Sequence, residues 1–482
     1  MNQKMVFQTI GLMLIIEAAM LMLPALVALI YGESCLWSLL IAAAIALAAG
    51  LLLRRICRTK NQVIYAREGF VTVALCWLIL SAVGALPFTI SGEIPSYVDA
   101  FFETVSGFTT TGSSILANVE VMSKGLLFWR SFTHWVGGMG VLVFIMALVP
   151  NVSDRSIHIL RAEMPGPVVG KLLPRAKDTA SILYKIYIGM TLAEIVLLFV
   201  GGMPLYESIV HAFGTAGTGG FGVKADSIAG YSPYLQWVIT VFMLLFGVNF
   251  NLYYLLLIRR FKAAVQSSEV WYYLGIVLVS VGLITANILP LCQTFAEALR
   301  LSAFQVSSII TTTGYATADF NLWPQFSKSI LLLLMMVGAC AGSTGGGLKV
   351  SRAVMLIKMI GREFKHLLHP RSVNSVRFEG KNVDGATLKS LSSYFAIYMV
   401  CTLVIFLILS IEPAPFDLET NLSATIACFN NIGPGFGLVG ASSNFAAYSP
   451  LSKIVLSMAM LLGRLEIYPL LLTLSPSTWI KK

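Results

Sequence analysis

Four stretches of this chain decide its fold, and the first of them reads DAFFETVSGFTTTGSS (Asp99–Ser114). The others are ESIVHAFGTAGTGGFG (Glu207–Gly222), LSAFQVSSIITTTGYA (Leu301–Ala316) and TNLSATIACFNNIGPG (Thr420–Gly435). All four align on one glycine each, and these anchor glycines are Gly112, Gly220, Gly314 and Gly433. The residue six positions before the anchor is always small: Ser106, Gly214, Ser308 or Ala427. Anchors spaced by about 100 residues indicate an internal repeat in which each copy is one supersecondary unit.

The composition around these stretches is typical of a membrane protein. Of the 482 residues, 57% are hydrophobic and only 12% are charged, and the mean hydropathy is +0.81. Soluble domains carry about 25% charged residues because their surface must face water. These values exclude an ordinary cytosolic enzyme, a disordered chain and a nucleic-acid-binding domain. The net charge of +10 fits a membrane protein, since basic residues collect in cytoplasmic loops.

Ten apolar runs are candidates for membrane spans, which need about 20 residues each. They cover roughly residues 7–30, 36–53, 70–90, 126–149, 182–201, 235–258, 271–291, 330–348, 391–411 and 451–474. The last eight runs form four pairs, and each pair is joined by a segment that ends in Gly/Thr-rich sequence. Such a segment is too long for a hairpin, so we expect a half-length helix followed by a loop that re-enters the membrane. The expected fold is an all-α polytopic membrane protein of ten transmembrane helices: four pseudo-repeats of helix, pore loop and helix around one pore, plus two N-terminal helices.

The runs also set the expected unit boundaries. Residues 1–68 hold the two N-terminal transmembrane helices, 69–178 the first pore repeat and 179–269 the second. Residues 270–385 hold the third repeat with an intramembrane gating loop and a cytoplasmic loop, and residues 386–482 hold the fourth.

Basic residues cluster between alternate runs, which predicts the orientation in the membrane. Between the second and third runs lie Arg54, Arg55, Arg58, Lys60 and Arg67, and between the fourth and fifth lie Arg155, Arg161, Lys171, Arg175 and Lys177. After the sixth run come Arg259, Arg260 and Lys262. After the eighth come Lys349, Arg352, Lys358, Arg362, Lys365, Arg371, Arg377, Lys381 and Lys389. By the positive-inside rule this face is cytoplasmic, and both termini lie on it.

The repeated Gly/Thr loops have the composition expected of a cation filter. An ion that leaves water needs replacement oxygens, and backbone carbonyls supply them without a full charge, so the ion can leave again. Irregular backbone at membrane depth is tolerated where it lines a water-filled path, and glycine takes the required dihedral angles at low cost. Helix packing through small residues is the alternative for any single loop, but four copies in register favour the filter. The predicted filter residues are Thr110, Thr111, Gly112, Thr218, Gly219, Gly220, Thr312, Thr313, Gly314, Asn431, Ile432 and Gly433.

The chain resembles the membrane (TrkH-like) subunit of the Trk/Ktr/HKT superfamily of potassium transporters. The motifs that carry the resemblance are TTTGSS (Thr109–Ser114), TGGFG (Thr218–Gly222), TTTGYA (Thr311–Ala316), NNIGPGFG (Asn430–Gly437), GACAGSTGGGLK (Gly338–Lys349) and GRLEIYP (Gly463–Pro469). In this family, glycine at all four anchors accompanies potassium preference, and serine in the first loop accompanies sodium preference. The resemblance therefore implies K⁺ as the transported ion, bound at the filter residues.

A glycine-rich run, GACAGSTGGG (Gly338–Gly347), interrupts the eighth apolar run. Glycine is unfavourable inside helices, so we expect a broken helix here, with a close helix crossing as the alternative. The resemblance implies that this segment is the gate. A charge inside the last run, at Arg464, is either a fixed positive charge beside the ion path, which the resemblance favours, or a member of an ion pair with Glu466 or Glu194. The predicted gate residues are Gly338, Gly342, Ser343, Thr344, Gly345, Gly346, Gly347 and Arg464.

The predicted function is potassium uptake through the four-loop filter, and no enzymatic activity is expected, because the sequence contains no HExxH or Walker A motif. The resemblance implies a homodimer in the bacterial cytoplasmic (inner) membrane, regulated by a cytosolic ring of nucleotide-binding RCK-type (TrkA-like) subunits. We expect no nucleotide site in this chain itself and no nucleic-acid partner. Symport coupled to Na⁺ or H⁺ stays open as the alternative, as does a scaffold with a vestigial pore. His366 and His369 form an HxxH in the basic loop, a weak metal candidate without further ligands.

Overall fold

The computed structural model describes residues 2–59, 66–140, 176–372, 374–412 and 416–479. The predicted span 126–149 is therefore described only as far as residue 140. Several basic residues that are expected on the cytoplasmic face, the last two of them at the C-terminus, fall outside the described residues or have undescribed side chains: Lys60, Arg155, Arg161, Lys171, Arg175, Lys177, Lys481 and Lys482. The described part is almost entirely helical, and the chain is an all-α polytopic membrane protein.

Two long helices, α1 (Gln3–Tyr31) and α2 (Cys35–Ile56), form an N-terminal hairpin. Their backbones pass so closely that an added β-carbon at Gly50 would lie 2.7 Å from the carbonyl oxygen of Gly11. Small residues at such crossings are typical of membrane helices, which associate through close van der Waals packing. Gly32, with φ of 67°, ends α1 in the left-handed conformation that leads into the turn.

Four helical units follow the hairpin, and in each a helix of 12 to 16 residues ends just before the loop that carries the anchor glycine. The first unit consists of α3 (Ala66–Gly84), α4 (Leu86–Ser91), α5 (Tyr97–Phe108) and α6 (Lys124–Gly138). The second consists of α7 (Ala176–Val200), α8 (Leu205–Gly217), α9 (Pro233–Phe246), α10 (Phe250–Leu257) and α11 (Phe261–Val265).

The third unit consists of α12 (Ser268–Ile288), α13 (Phe295–Ile310), α14 (Gln325–Val337) and α15 (Val350–Leu368). A two-stranded antiparallel hairpin, β1 (Arg377–Phe378) and β2 (Lys381–Asn382), leads to the fourth unit. That unit consists of α16 (Gly385–Leu409), α17 (Leu418–Phe429), α18 (Pro450–Arg464), α19 (Tyr468–Leu474) and α20 (Pro476–Trp479). We call the short helices α5, α8, α13 and α17 the pore helices.

Six helices are long and apolar enough to cross a membrane, and the bent pair α9–α10 counts as a seventh, within the described ranges. The total of ten spans stays a prediction. Two of the runs predicted as spans are not continuous helices. The run 235–258 bends by 90° between Phe246 and Phe250, where Asn249 caps the new helix with its side chain. The run 451–474 breaks at Glu466 and Ile467, which both have positive φ.

Three of the four pore helices begin with a side-chain cap. Ser96, Thr294 and Asp417 each accept a hydrogen bond from the backbone N–H three residues later, which satisfies one of the free donors at a helix start. At Asp417 the hydroxyl and the N–H of Thr420 both donate to the carboxylate, and these bonds lower the pKa of Asp417. The second pore helix begins instead after Pro204, without a side-chain cap.

Candidate ion pathway

All four pore helices end in the same left-handed turn, the Schellman motif. The residue two positions before each anchor glycine has φ between 55° and 58°; these residues are Thr110, Thr218, Thr312 and Asn431. The residue directly before each anchor donates its N–H to the carbonyl of the small residue named above, over 2.8 or 2.9 Å: Thr111 to Ser106, Gly219 to Gly214, Thr313 to Ser308, and Ile432 to Ala427. Glycine is usual at the left-handed position, and other residues there cost on the order of 1–3 kcal/mol unless their surroundings hold them. The four loops thus repeat one strained backbone conformation.

The anchor glycines stand side by side in a closed ring. A β-carbon added to Gly112, Gly220 or Gly314 would overlap a carbonyl oxygen of the next repeat, that of Gly219, Thr313 or Ile432 respectively. A β-carbon added to Gly433 would lie 2.9 Å from the carbonyl oxygen of Thr111, so the fourth loop returns to the first. All four glycines also have positive φ, between 76° and 105°. Glycine is therefore required here both for its backbone conformation and for the space it leaves, and the structure brings the four predicted filter loops together.

A cavity of about 160 Å³ lies on one side of this ring. Its walls include the four anchor glycines and residues that follow them in each loop, among them Ser113, Phe221, Ala316 and Pro434. The cavity therefore marks one end of the four-loop cluster, and the residues before the anchors lie toward the other end.

A buried ion pair holds the first loop beside this cavity. Nε of Arg130 lies 2.5 Å from Oε1 of Glu103, and the two side chains are 4% and 0% exposed. The same carboxylate accepts hydrogen bonds from the Ser114 hydroxyl and the Ile115 N–H, both over 2.9 Å. We did not single out this pair from the sequence. The signal that could have found it is a lone charge inside the fourth apolar run, because charges at membrane depth are expensive and paired.

The glycine-rich segment lies against the end of the loop cluster that precedes the anchors. Helix α14 ends at Val337 and α15 begins at Val350, so residues 338–349 are not helical. The Gly346 N–H donates to the Thr312 hydroxyl over 2.6 Å. A β-carbon added to Gly345 would lie 2.8 Å from the Thr311 carbonyl oxygen. A β-carbon added to Gly346 would overlap the Asn430 carbonyl oxygen. The predicted gate residues therefore contact the third and fourth filter loops directly.

The same segment is folded tightly upon itself. A β-carbon added to Gly338 would overlap the Gly346 carbonyl oxygen, and one added to Gly347 would lie 2.7 Å from the Cα of Gly338. The Ser343 hydroxyl donates to the Cys340 carbonyl over 2.7 Å, and the Lys349 ammonium group donates to the Gly345 carbonyl. These contacts give residues 338–349 a defined, compact shape.

Arg464 joins three parts of the molecule at the end of α18. Its guanidinium group donates to the carbonyl oxygens of Thr344 over 2.9 Å and Gly138 over 2.7 Å, and also to that of Gly137. Glu466, one of the two ion-pair partners considered for Arg464, pairs with Arg352 over 2.6 Å. Arg464 therefore places a positive charge between the glycine-rich segment and the end of α6.

The bend between α9 and α10 is bonded to the glycine-rich segment. The Cys340 N–H donates to the Gly247 carbonyl over 3.1 Å, and the Phe250 N–H donates to the Gly342 carbonyl over 3.0 Å. The Thr344 hydroxyl also donates to the Phe246 carbonyl over 3.3 Å. The bend and the segment thus form one hydrogen-bonded unit, which the sequence did not predict.

Clusters of metal-binding side chains are absent from the described ranges, where no group of three or more His, Cys, Asp or Glu residues could hold a metal ion. The described part of the chain therefore gives the HxxH pair at His366 and His369 no further ligand.

Comparison with known proteins points to one family. The family model described as TrkH, a cation transport protein, matches residues 38–277 and 291–481. The Trk system potassium uptake protein TrkH of Salmonella typhimurium is 36% identical over 99% of this chain and 100% of its own length, and that of Escherichia coli strain K12 is 35% identical over the same shares. The crystal structure of the potassium transporter TrkH from Vibrio parahaemolyticus matches with a TM-score of 0.88 and 31% identity, covering 100% of both chains.

Proposed function

The chain belongs to the TrkH family of cation transport proteins, and from this premise we propose that it takes up potassium ions across the bacterial cytoplasmic membrane. Relatives of the same length are named potassium uptake proteins. This function requires transport and no covalent chemistry. The five units proposed from the sequence, with boundaries at 68, 178, 269 and 385, give this pathway two leading helices and four pore repeats.

The observation that carries the proposal is the closed ring of four anchor glycines. Each anchor abuts a carbonyl oxygen of its neighbour, so four equivalent stretches of main chain contribute oxygens around a common centre. Carbonyl oxygens can replace the hydration shell of a monovalent cation, and the pore helices direct their negative C-terminal ends toward the same place. In this proposal the ion binds at residues 110–112, 218–220, 312–314 and 431–433.

The glycine-rich segment and Arg464 are the proposed gate. The segment contacts the filter loops at residues before the anchors, and Arg464 holds Thr344 of that segment. A compact, non-helical segment in this place obstructs the ion path on the side of the filter that precedes the anchor glycines, and displacement of the segment opens the path. The chain works as a homodimer in this proposal, and a cytosolic ring of nucleotide-binding RCK-type subunits displaces the segment.

Symport coupled to H⁺ is the second candidate, and two buried carboxyl groups favour it. Glu17 in α1 and Glu194 in α7 are 1% and 0% exposed; the Glu17 carboxylate has no hydrogen-bond partner among the described residues, and the Glu194 carboxylate has only the Thr215 hydroxyl beside it. Carboxyl groups at membrane depth mark proton relays in pumps and transporters. Liposomes loaded with a pH-sensitive dye test this alternative. If K⁺ influx acidifies the lumen, and Glu17→Gln or Glu194→Gln abolishes the acidification, symport is favoured. If K⁺ enters without proton movement, symport with H⁺ is excluded.

Substitution of one anchor glycine tests the filter. The expected result is that liposomes containing the chain take up labelled Rb⁺ in strong preference to Na⁺, and that Gly314→Ser loses this preference. The reason is that any β-carbon at residue 314 overlaps the Ile432 carbonyl oxygen. Gly275→Ser is the matched control, because residue 275 lies in the span α12 and a β-carbon there meets no atom within 4 Å. Equal uptake of both ions by the unsubstituted protein would refute the proposed function.

A further inference from the structure

The residue that follows each anchor glycine differs in chemistry from repeat to repeat but occupies an equivalent place. These four residues are Ser113, Phe221, Tyr315 and Pro434, and we call them the bracing residues. Each of them contacts the preceding repeat in the ring, as the next paragraphs show for each pair of neighbours. Nothing in the sequence pattern indicated this, because the four side chains share neither size nor polarity.

Tyr315 of the third repeat braces the second loop. It is fully buried, and its hydroxyl lies 3.1 Å from the carbonyl oxygens of both Phe221 and His211, which share its single proton. The second pore helix makes room for this hydroxyl at Gly214, where an added β-carbon would overlap it. The Tyr315 carbonyl is held in turn by the Ser308 hydroxyl of its own repeat, over 2.6 Å. Tyr315 is thus fixed at both ends and spans two neighbouring loops.

The other three contacts have the same direction around the ring. Ser113 of the first repeat donates its hydroxyl to the Gly433 carbonyl of the fourth, over 2.9 Å. The Phe221 ring of the second repeat lies against the first, with its centre 4.1 Å from that of the His134 ring. Pro434 of the fourth repeat packs on the third, since a β-carbon added to Gly314 would lie 3.0 Å from the Cδ of Pro434. The four contacts therefore close a second ring, next to the ring of anchor glycines.

From this second ring we infer that the bracing residues are positioning residues that fix the distances between neighbouring filter loops, and that the hydroxyls of Tyr315 and Ser113 hold the Phe221 and Gly433 carbonyls in the geometry that discriminates between cations. The inference rests on the proposed function of the four loops as a potassium filter. A carbonyl site that cannot contract suits one ion better than a smaller one. Hydroxyls that bond to main-chain oxygens of another repeat resist such contraction without contacting the ion.

Removal of the Tyr315 hydroxyl tests the inference. In liposomes containing the full chain, Tyr315→Phe is expected to lower the ratio of Rb⁺ to Na⁺ uptake by about three- to tenfold, the effect of losing one buried hydrogen bond. Tyr187→Phe is the matched control, because Tyr187 is equally buried and its hydroxyl donates to a carbonyl outside the filter, that of Trp135, over 2.9 Å. A purely structural defect would lower both fluxes in proportion and leave the ratio unchanged.

The Ser113 hydroxyl provides a second and smaller substitution. Ser113→Ala is expected to lower the same ratio, while Ser457→Ala leaves it unchanged, because the Ser457 hydroxyl bonds within its own helix to the Lys453 carbonyl over 2.8 Å. If Tyr315→Phe does not fold, as judged by gel filtration, Ser113→Ala alone decides. If the folded variants keep the Rb⁺/Na⁺ uptake ratio of the parent protein, the inference is overturned, while the proposed function of the four loops as a filter stands. A parent protein that does not discriminate between the ions refutes the proposed function itself.

Discussion

Among single residues, Asn431 shows why the fourth loop departs from the threonine pattern of the other three. It occupies the left-handed position with φ of 56°, which asparagine tolerates better than β-branched residues do. Its side-chain amide donates to the Thr111 hydroxyl and to the Met460 carbonyl, both over 2.9 Å. The amide offers two protons, one for each of these groups, whereas a threonine hydroxyl would have a single proton to share between them. Asparagine therefore ties the last repeat to the first while keeping the shared turn.

The buried pair Arg130–Glu103 gives a prediction about stability at the residue scale. Glu103→Gln leaves the Arg130 guanidinium buried without its counter-charge, and breaking such a pair costs about 3–5 kcal/mol. We expect a clear decrease in the midpoint of thermal unfolding of the purified protein in detergent, together with a loss of Rb⁺ uptake, because the same carboxylate holds Ser114 and Ile115.

The control for this prediction is an ion pair of the same type at the surface. Lys328 and Glu419 lie 2.9 Å apart with side chains 17% and 49% exposed, and exposed pairs contribute about 0–1 kcal/mol. Glu419→Gln is therefore expected to change the unfolding midpoint little. Equal shifts in the two variants would mean that the buried pair does not stabilise the first loop.

At the scale of elements, the glycine-rich segment yields a prediction about gating. Gly346 does not have positive φ, so alanine fits its backbone conformation, but the added methyl group overlaps the Asn430 carbonyl oxygen. Gly346→Ala is expected to push the segment away from the filter and to raise Rb⁺ uptake by liposomes that contain the chain alone. Gly361→Ala, in the helix that follows, is the control, since a β-carbon there meets no atom within 4 Å. Unchanged or lower uptake by Gly346→Ala would contradict the assignment of the segment as the gate.

The elements also show where reading the sequence succeeded and where it stopped. The half-length helices and anchor glycines could be predicted because the need for glycine at positive φ is a local property of the backbone. The bend at Gly247 could not be predicted, because apolar residues surround it and the mean hydropathy of the run does not differ from that of a straight span. The contacts of Tyr315 with Phe221 and of Arg464 with Gly138 depend on residues far apart in the chain. No pattern of spacing along one chain specifies such neighbours.

On the scale of the whole molecule, the distribution of basic loops predicts the topology. Fluorescent protein fused to the C-terminus should fluoresce in bacteria, because that terminus is expected in the cytoplasm. Alkaline phosphatase should be active when fused after Pro95 and inactive when fused after Arg260, since these positions are expected on opposite faces. An active fusion after Arg260 would reverse the predicted orientation, and the cytosolic partner proposed above could then not reach the glycine-rich segment.

The hydrogen bonds between the α9–α10 bend and residues 340–342 have a mechanical consequence. The segment cannot swing aside alone, since it would leave the Gly247 carbonyl and the Phe250 N–H without partners. Either α10 travels with it, or water enters to replace two lost main-chain bonds. Because α10 runs toward the basic turn at Arg259 and Arg260, a pull on that turn would reach the proposed gate through α10, without first moving α12, α13 or α14.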